Sequence, residues 1–265
     1  MHPSKLESVL LAEQRVVLRD SFVSLEGYEY LLEKSRRRVA SNRILNGKAM
    51  SVALDFTRDL VRICPFAECV AVSGSVASGG YSSTDDLDFD LFVRAGTKYA
   101  SYLIATLVGL RYSWRFRHQR LSNIHQVLSI PKIVCINVVW SEDQTAPFVR
   151  QDADMAFELL RCHPVFGARV FQQVCADNSW ALSYFPQLQD RRFTDTIEAE
   201  ETPLRRLLGR IWKHPRLMRG VEIACRGLVW IVYHVVQWTR RRDPAALARM
   251  NFLKRVKWPY EVLQD

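Results

Sequence analysis

Residues 70–93, VAVSGSVASGGYSSTDDLDFDLFV, constrain the fold more than any other stretch of the chain. The run Cys69-Val70-Ala71-Val72 is short, apolar and partly β-branched, and Gly74 follows it, which predicts a buried strand. From Gly79 to Thr84 a Gly/Ser-rich segment predicts a loop. Leu87, Phe89, Leu91 and Val93 then alternate with Asp86, Asp88, Asp90 and Phe92. That period of two belongs to a strand with one apolar face and an opposite face that is acidic near its start.

Side chains two apart on a strand project to one face, with Cα atoms about 6.5 Å apart. Asp86 and Asp88 so placed can share hard cations with a polyphosphate, and Mg²⁺ favours a few carboxylates together with waters and phosphate oxygens. Gly74 lets an anion approach the backbone with no Cβ in the way. Ser75 offers a hydroxyl and an amide to a phosphate oxygen, and successive N–H groups there can form an anion-binding nest. Asp85 is expected to stay in the turn. Asp90 is either a further metal ligand or the partner of a cation, Arg94 or a basic residue of 111–120.

The remaining periodicity predicts a helix over 28–62, stopped by Pro65, and another over 98–110. A basic, aromatic loop is expected from Arg111 to Arg120. It reads either as a nucleic-acid contact surface or as a solvated loop with Tyr112, Trp114 and Phe116 on the core. Ile133–Trp140, IVCINVVW, is a second β-rich run, and beyond Pro147 helices are expected over 151–161, 165–176, 204–214 and 219–239. Strand–loop–strand–helix–strand followed by helices predicts an α+β fold: a small mixed β-sheet core flanked by helices, with a helical C-terminal part. The expected divisions are an N-terminal helical segment (1–45), the core (46–150), a helical extension (151–200) and a basic, Trp-rich helical tail (201–265).

Apolar residues make up 48% of the chain and charged residues 25%, enough for a sizeable core and unlike a disordered segment. The net charge of +9 is concentrated: residues 204–265 carry 14 Lys/Arg against 4 Asp/Glu, and the rest is close to neutral. Such a tail is either a solvated basic surface or a site for nucleic acid or an anionic membrane face. Six cysteines match no zinc spacing, and Cys162-His163 is their one histidine neighbour, the histidine being read as a helix-end cap. The N-terminal residues lack the apolar core of a secretion signal, so reduced thiols and a cytoplasmic location are expected. The apolar stretch 220–239 has an uncharged run only after Arg226, short of the roughly 20 residues a span needs. It reads as a core helix or as an interfacial one, with Trp230, Trp238 and the collar Arg240–Arg242 at the membrane edge.

Gly74-Ser75, ten intervening residues and then Asp86-x-Asp88 in an apolar strand resemble the polymerase-beta-like nucleotidyltransferases, among them small antibiotic-modifying and minimal bacterial members. Ala77 and Gly79 stand where such proteins carry an A-x-G element. A closer resemblance is to bacterial nucleotidyltransferase-domain proteins, through Cys135-Ile136-Asn137, Glu158, Pro164-Val165-Phe166-Gly167, Trp180 and Phe185-Pro186. It covers roughly residues 28–190 and not 204–265. The resemblance implies a Mg²⁺-dependent transfer of a nucleoside monophosphate from an NTP, with ATP as the default, to an acceptor, releasing pyrophosphate. It implies that Gly74 and Ser75 hold the nucleotide, that Asp86 and Asp88 hold the metal and act in catalysis, and that Asn137 occupies the position where active members have a third carboxylate. Asn137 can ligate a metal through its carbonyl oxygen but cannot take a proton as a carboxylate does. Ser78 replaces a basic residue found in many members. Two other readings follow: a nucleotide-binding module that has lost catalysis, or a polyanion- or membrane-docking protein acting through its tail.

Overall fold

The computed structural model describes residues 15–19, 22–118 and 131–241, together with 244, 247 and 248. The fold is α+β. Strands β1 (Val16–Arg19) and β2 (Phe22–Leu25) form an antiparallel pair. Helix α1 (Leu31–Ile63) leads to β3 (Ala67–Val72), the single helical turn α2 (Gly74–Ala77), β4 (Leu87–Val93), α3 (Lys98–Arg115) and β5 (Val134–Ser141). There follow α4 (Ala153–Arg161), β6 (His163–Phe166), α5 (Ala168–Asp177), two 3₁₀ turns, and the tail helices α6 (Pro203–Trp212) and α7 (Pro215–Arg240).

The main sheet has the order β5-β4-β3-β6, with β4 and β5 parallel and the other two pairings antiparallel. Alternation along the strands gives it two different faces. Val70, Val72, Leu87, Phe89, Leu91 and Val139 turn to one side, where α1, α3, α6 and α7 cover them. Phe56 of α1 meets Phe89 with tilted rings, centroids 4.6 Å apart, and meets Tyr112 of α3 edge-on at 5.7 Å. Burying a phenylalanine stabilises by about 1.5–3 kcal/mol, so this cluster is a main tie between helices and sheet. Cys69, Ala71, Phe92, Val138 and Trp140 turn to the other side and pack on α4 and α5. The acidic positions Asp86, Asp88 and Asp90 belong to that second face, near the start of β4.

Several local expectations are corrected. The N-terminal segment expected to be helical contains the β1–β2 pair, and α1 runs through position 45 without a break. Residues 111–115 extend α3, with Tyr112 and Ser113 buried, and Arg120 lies outside the described residues. Residues 163–166, where a helix-end cap at His163 and the start of a helix at 165 are expected, form the sheet edge β6 instead, with His163 in the strand opposite Val72. Pro164 is tolerated because an edge strand leaves one row of N–H groups unpaired. At Gly167 φ is +71°, and a Cβ would lie 1.8 Å from the Glu68 carbonyl oxygen, so the turn from β6 into α5 requires glycine.

The two tail helices are fixed by charges at helix ends. Thr97, at the N-terminus of α3, turns its hydroxyl to the Arg94 carbonyl at 2.7 Å and leaves the helix uncapped. Glu222 of α7 takes that role: its two oxygens accept from the amides of Tyr99 at 2.6 Å and Ala100 at 3.0 Å. At the opposite pole, Arg205 of α6 donates to the Val61 carbonyl and, at 2.9 Å, to the Cys64 carbonyl at the end of α1. An anion at a helix N-terminus and a cation at a C-terminus both complement the macrodipole. Replacing Glu222 by Ala is expected to cost about 1–2 kcal/mol in urea unfolding, and Glu222→Gln, which keeps an acceptor, less than half of that.

Candidate metal and nucleotide site

The Gly74-Ser75 bend stands at the open end of the sheet. Gly74 is exposed and Ser75 half-buried, so the bend is accessible to solvent. The bend is locally determined. Ser73, fully buried at the end of β3, gives its amide to the Asp88 carbonyl at 2.9 Å and its hydroxyl to Asp90, leaving no side-chain cap for α2. Ser78 closes the turn by donating to the carbonyls of Gly74 and Ser75, each at 3.0 Å. Gly74 adopts φ +59°, and a Cβ there would fall 2.2 Å from Asp88 Oδ2. The carboxylate therefore lies directly against the bend, in space that only glycine leaves open.

Asp86 and Asp88 converge, and Cys135 joins them: one ligand atom from each lies within 4.8 Å of the others. The register explains the third member. Asp88 pairs with Cys135 across the parallel strands β4 and β5, and paired residues share a face. Lys132, just ahead of β5, donates to Cys135 Sγ at 3.4 Å and brings a positive charge to the cluster. Neither residue was singled out as a ligand from sequence.

Asn137 is placed differently from the expectation. A bulge falls between the pairs Phe89–Ile136 and Asp90–Val138, so Asn137 is the extra residue of β5. Its amide donates to Asp90 Oδ1 at 3.2 Å. Asp90 is buried and also accepts from Ser73 at 3.0 Å, while Cys162 Sγ lies 3.2 Å from its Oδ2. No cation is among these partners. Arg94 instead forms an ion pair with Glu68 at 3.3 Å and lies over Trp212 at 4.5 Å, and Arg111 pairs with Asp59 at 3.1 Å. Asp90 and Asn137 thus form a neutral-donor network behind the Asp86–Asp88 pair. Asp85 stays in the turn as expected, bound to the Ser82 amide and hydroxyl.

Electrostatics follows burial. Burial, with Asp86 adding to it, pushes Asp88 up to about 7. Burial also raises Asp90, against the pull of its three hydrogen-bond partners. The Cys135 thiol is pushed up to about 12 by burial and is a neutral thiol at pH 7. Lys132 moves upward, chiefly through Cys135 and more weakly through Asp86, and stays an ammonium. A divalent cation would relieve this strain by neutralising Asp86 and Asp88. Two carboxylates suit a hard ion; sulfur would favour a softer one once its proton is displaced.

Fold and site together define an α+β chain with a candidate divalent-cation centre beside a solvent-open glycine-serine bend. No family model, curated protein or solved structure matches it.

Two predictions follow from this geometry. Gly74→Ala is expected to destabilise by at least about 1–2 kcal/mol, from the left-handed backbone alone, and by more through the clash with Asp88. The penalty should shrink in an Asp88→Ala background, a double-mutant cycle that isolates the contact. Because the folded Asp88 binds its proton more tightly than an unfolded aspartate, its contribution to stability is full below about pH 4 and lost as pH rises towards about 7. Without divalent ions, Asp88→Asn should flatten that slope in denaturant melts, and divalent-ion affinity of the native chain should rise through the same window.

Proposed function

We propose that this chain is a nucleotidyltransferase: it binds a nucleoside triphosphate with a divalent cation, Mg²⁺ by hardness, and transfers the nucleoside monophosphate to an acceptor hydroxyl or phosphate. The observation that carries this reading is the convergence of Asp86 and Asp88 against the accessible Gly74-Ser75 bend. In the reaction an acceptor oxygen attacks the α-phosphorus. The new P–O bond forms as the bond to the β-phosphate oxygen breaks, pyrophosphate leaves, and the acceptor proton passes to a base or to solvent.

Asp86 and Asp88 would hold the cation. When bound, that ion supplies charge neutralisation of the triphosphate and of the leaving group. Gly74 and Ser75 admit the phosphates to the backbone and offer the Ser75 hydroxyl as a hydrogen-bond donor. Lys132, a charged ammonium close to the acids, adds the positive charge that Ser78 does not supply. The resemblance of the Gly-Ser/Asp-x-Asp spacing to polymerase-beta-like nucleotidyltransferases points the same way, and ATP is the default co-substrate.

A second reading is supported by one observation. No third carboxylate joins Asp86 and Asp88 among the described residues: Cys135 takes that place, and Asn137 is engaged by Asp90. A neutral thiol and an amide are poor proton acceptors at pH 7. This favours a module that binds nucleotide without transferring it.

One experiment separates the two. The chain is incubated with α-labelled NTPs, Mg²⁺ or Mn²⁺ and a panel of acceptors, and nucleotide binding is measured in parallel by calorimetry. Transfer is expected, falling by about two to three orders of magnitude in the Asp86→Ala, Asp88→Ala double variant. Label transfer that survives the double variant would sink the assignment. Calorimetric binding with no pyrophosphate released under any acceptor would establish the second reading instead.

A further inference from the structure

Helix α7 exposes more apolar surface than its place in the fold requires. Its inner face is already docked: Met218 and Val229 are buried, Val221 and Cys225 pack on the core, and Glu222 caps α3. The outer side of its C-terminal half remains apolar. Ile223 is 64% exposed, Trp230 54%, Ile231 54%, Val235 55% and Trp238 63%. The two tryptophans alone present on the order of 200 Å², from their ordinary side-chain areas. With the aliphatic side chains between them, the strip reaches the size at which a contiguous apolar patch marks an interaction site.

Cations flank this strip. Arg216, Arg219 and Arg241 are exposed on α7 and at its end, with Arg241 lying over Trp238 at 4.3 Å. Residues 204–265 as a whole carry +10. We propose that the outer face of α7 between Ile223 and Trp238 is a docking surface for an anionic phospholipid bilayer, lying flat in the headgroup layer. This inference stands independently of the transfer reaction.

Charge and shape select that occupant. A second copy of the chain, meeting the same face across a two-fold axis, would bring like-charged arginines together. An RNA would find phosphate partners in the arginines, but Ile223, Ile231 and Val235 offer nothing to a sugar-phosphate backbone. An anionic bilayer satisfies both features: aliphatic side chains enter the acyl boundary, tryptophans sit at the interface, and arginines meet lipid phosphates. The segment is about 24 Å long at 1.5 Å per residue, and it lies along the surface. No helix among the described residues is long and apolar enough to cross a membrane.

The test uses the full chain with vesicles of phosphatidylcholine alone and of phosphatidylcholine mixed with phosphatidylserine. Co-sedimentation with the mixed vesicles is expected, weakened by added salt, and at least about tenfold weaker for the Ile231→Glu, Val235→Glu variant. Both side chains are exposed, so the variant should keep the native melting profile. The proposal is overturned by any of three results: no sedimentation with the mixed vesicles, undiminished sedimentation of the variant, or a dimer or RNA complex of the native chain that this variant abolishes in place of vesicle binding.

Discussion

The candidate site depends on one close approach. The Asp88 carboxylate occupies the volume that a side chain at position 74 would need. That contact places an acid against the backbone bend and holds both at the open end of the sheet. It also withdraws Asp88 from water, which is why its proton is held to about neutral pH. Desolvation here outweighs the hydrogen bond and the ammonium that favour ionisation. A cation bound between the two acids would offset this electrostatic cost.

Behind this pair, Asp90 shows the opposite solution to burial. Three neutral groups surround it, from Ser73, Asn137 and Cys162, drawn from the end of β3, the bulge of β5 and the end of α4. The network joins three elements beneath the acids in front and helps orient the strand that carries them. Buried polar groups are tolerated when their hydrogen bonds are made, and a network with every member engaged also specifies one packing.

Local sequence carried the first part of this site and could not carry the second. Gly74, Ser75, Asp86 and Asp88 lie within a single strand–loop–strand unit, where alternation and glycine are enough to place them. Cys135 and Asn137 are two apart, so alternation puts both on one face; only the pairing with β4 and the position of the bulge decide which one meets Asp88. That pairing is a long-range property of the sheet. The α+β class was likewise legible from the order of periodic segments. The short strands were not: β6 contains a proline that reads as a helix end, and β1 and β2 are four residues each. Glu222 and Arg205 were invisible as capping groups because their partners lie more than a hundred residues away.

The bulge at Asn137 also works as a phase shifter within β5. Ahead of it, odd-numbered Cys135 faces the acids and even-numbered Ile136 faces α1 and α3; after it, even-numbered Val138 and Trp140 take the acid-bearing side and Val139 the other. One strand thereby serves two parity rules, with a thiol for the open end and an indole for the closed end. Were the strand to run through Asn137 as a regular pair, without the bulge, Trp140 would turn into the helical layer already filled around Phe56, so the interior and the chemistry of this sheet are bound to the same inserted amino acid.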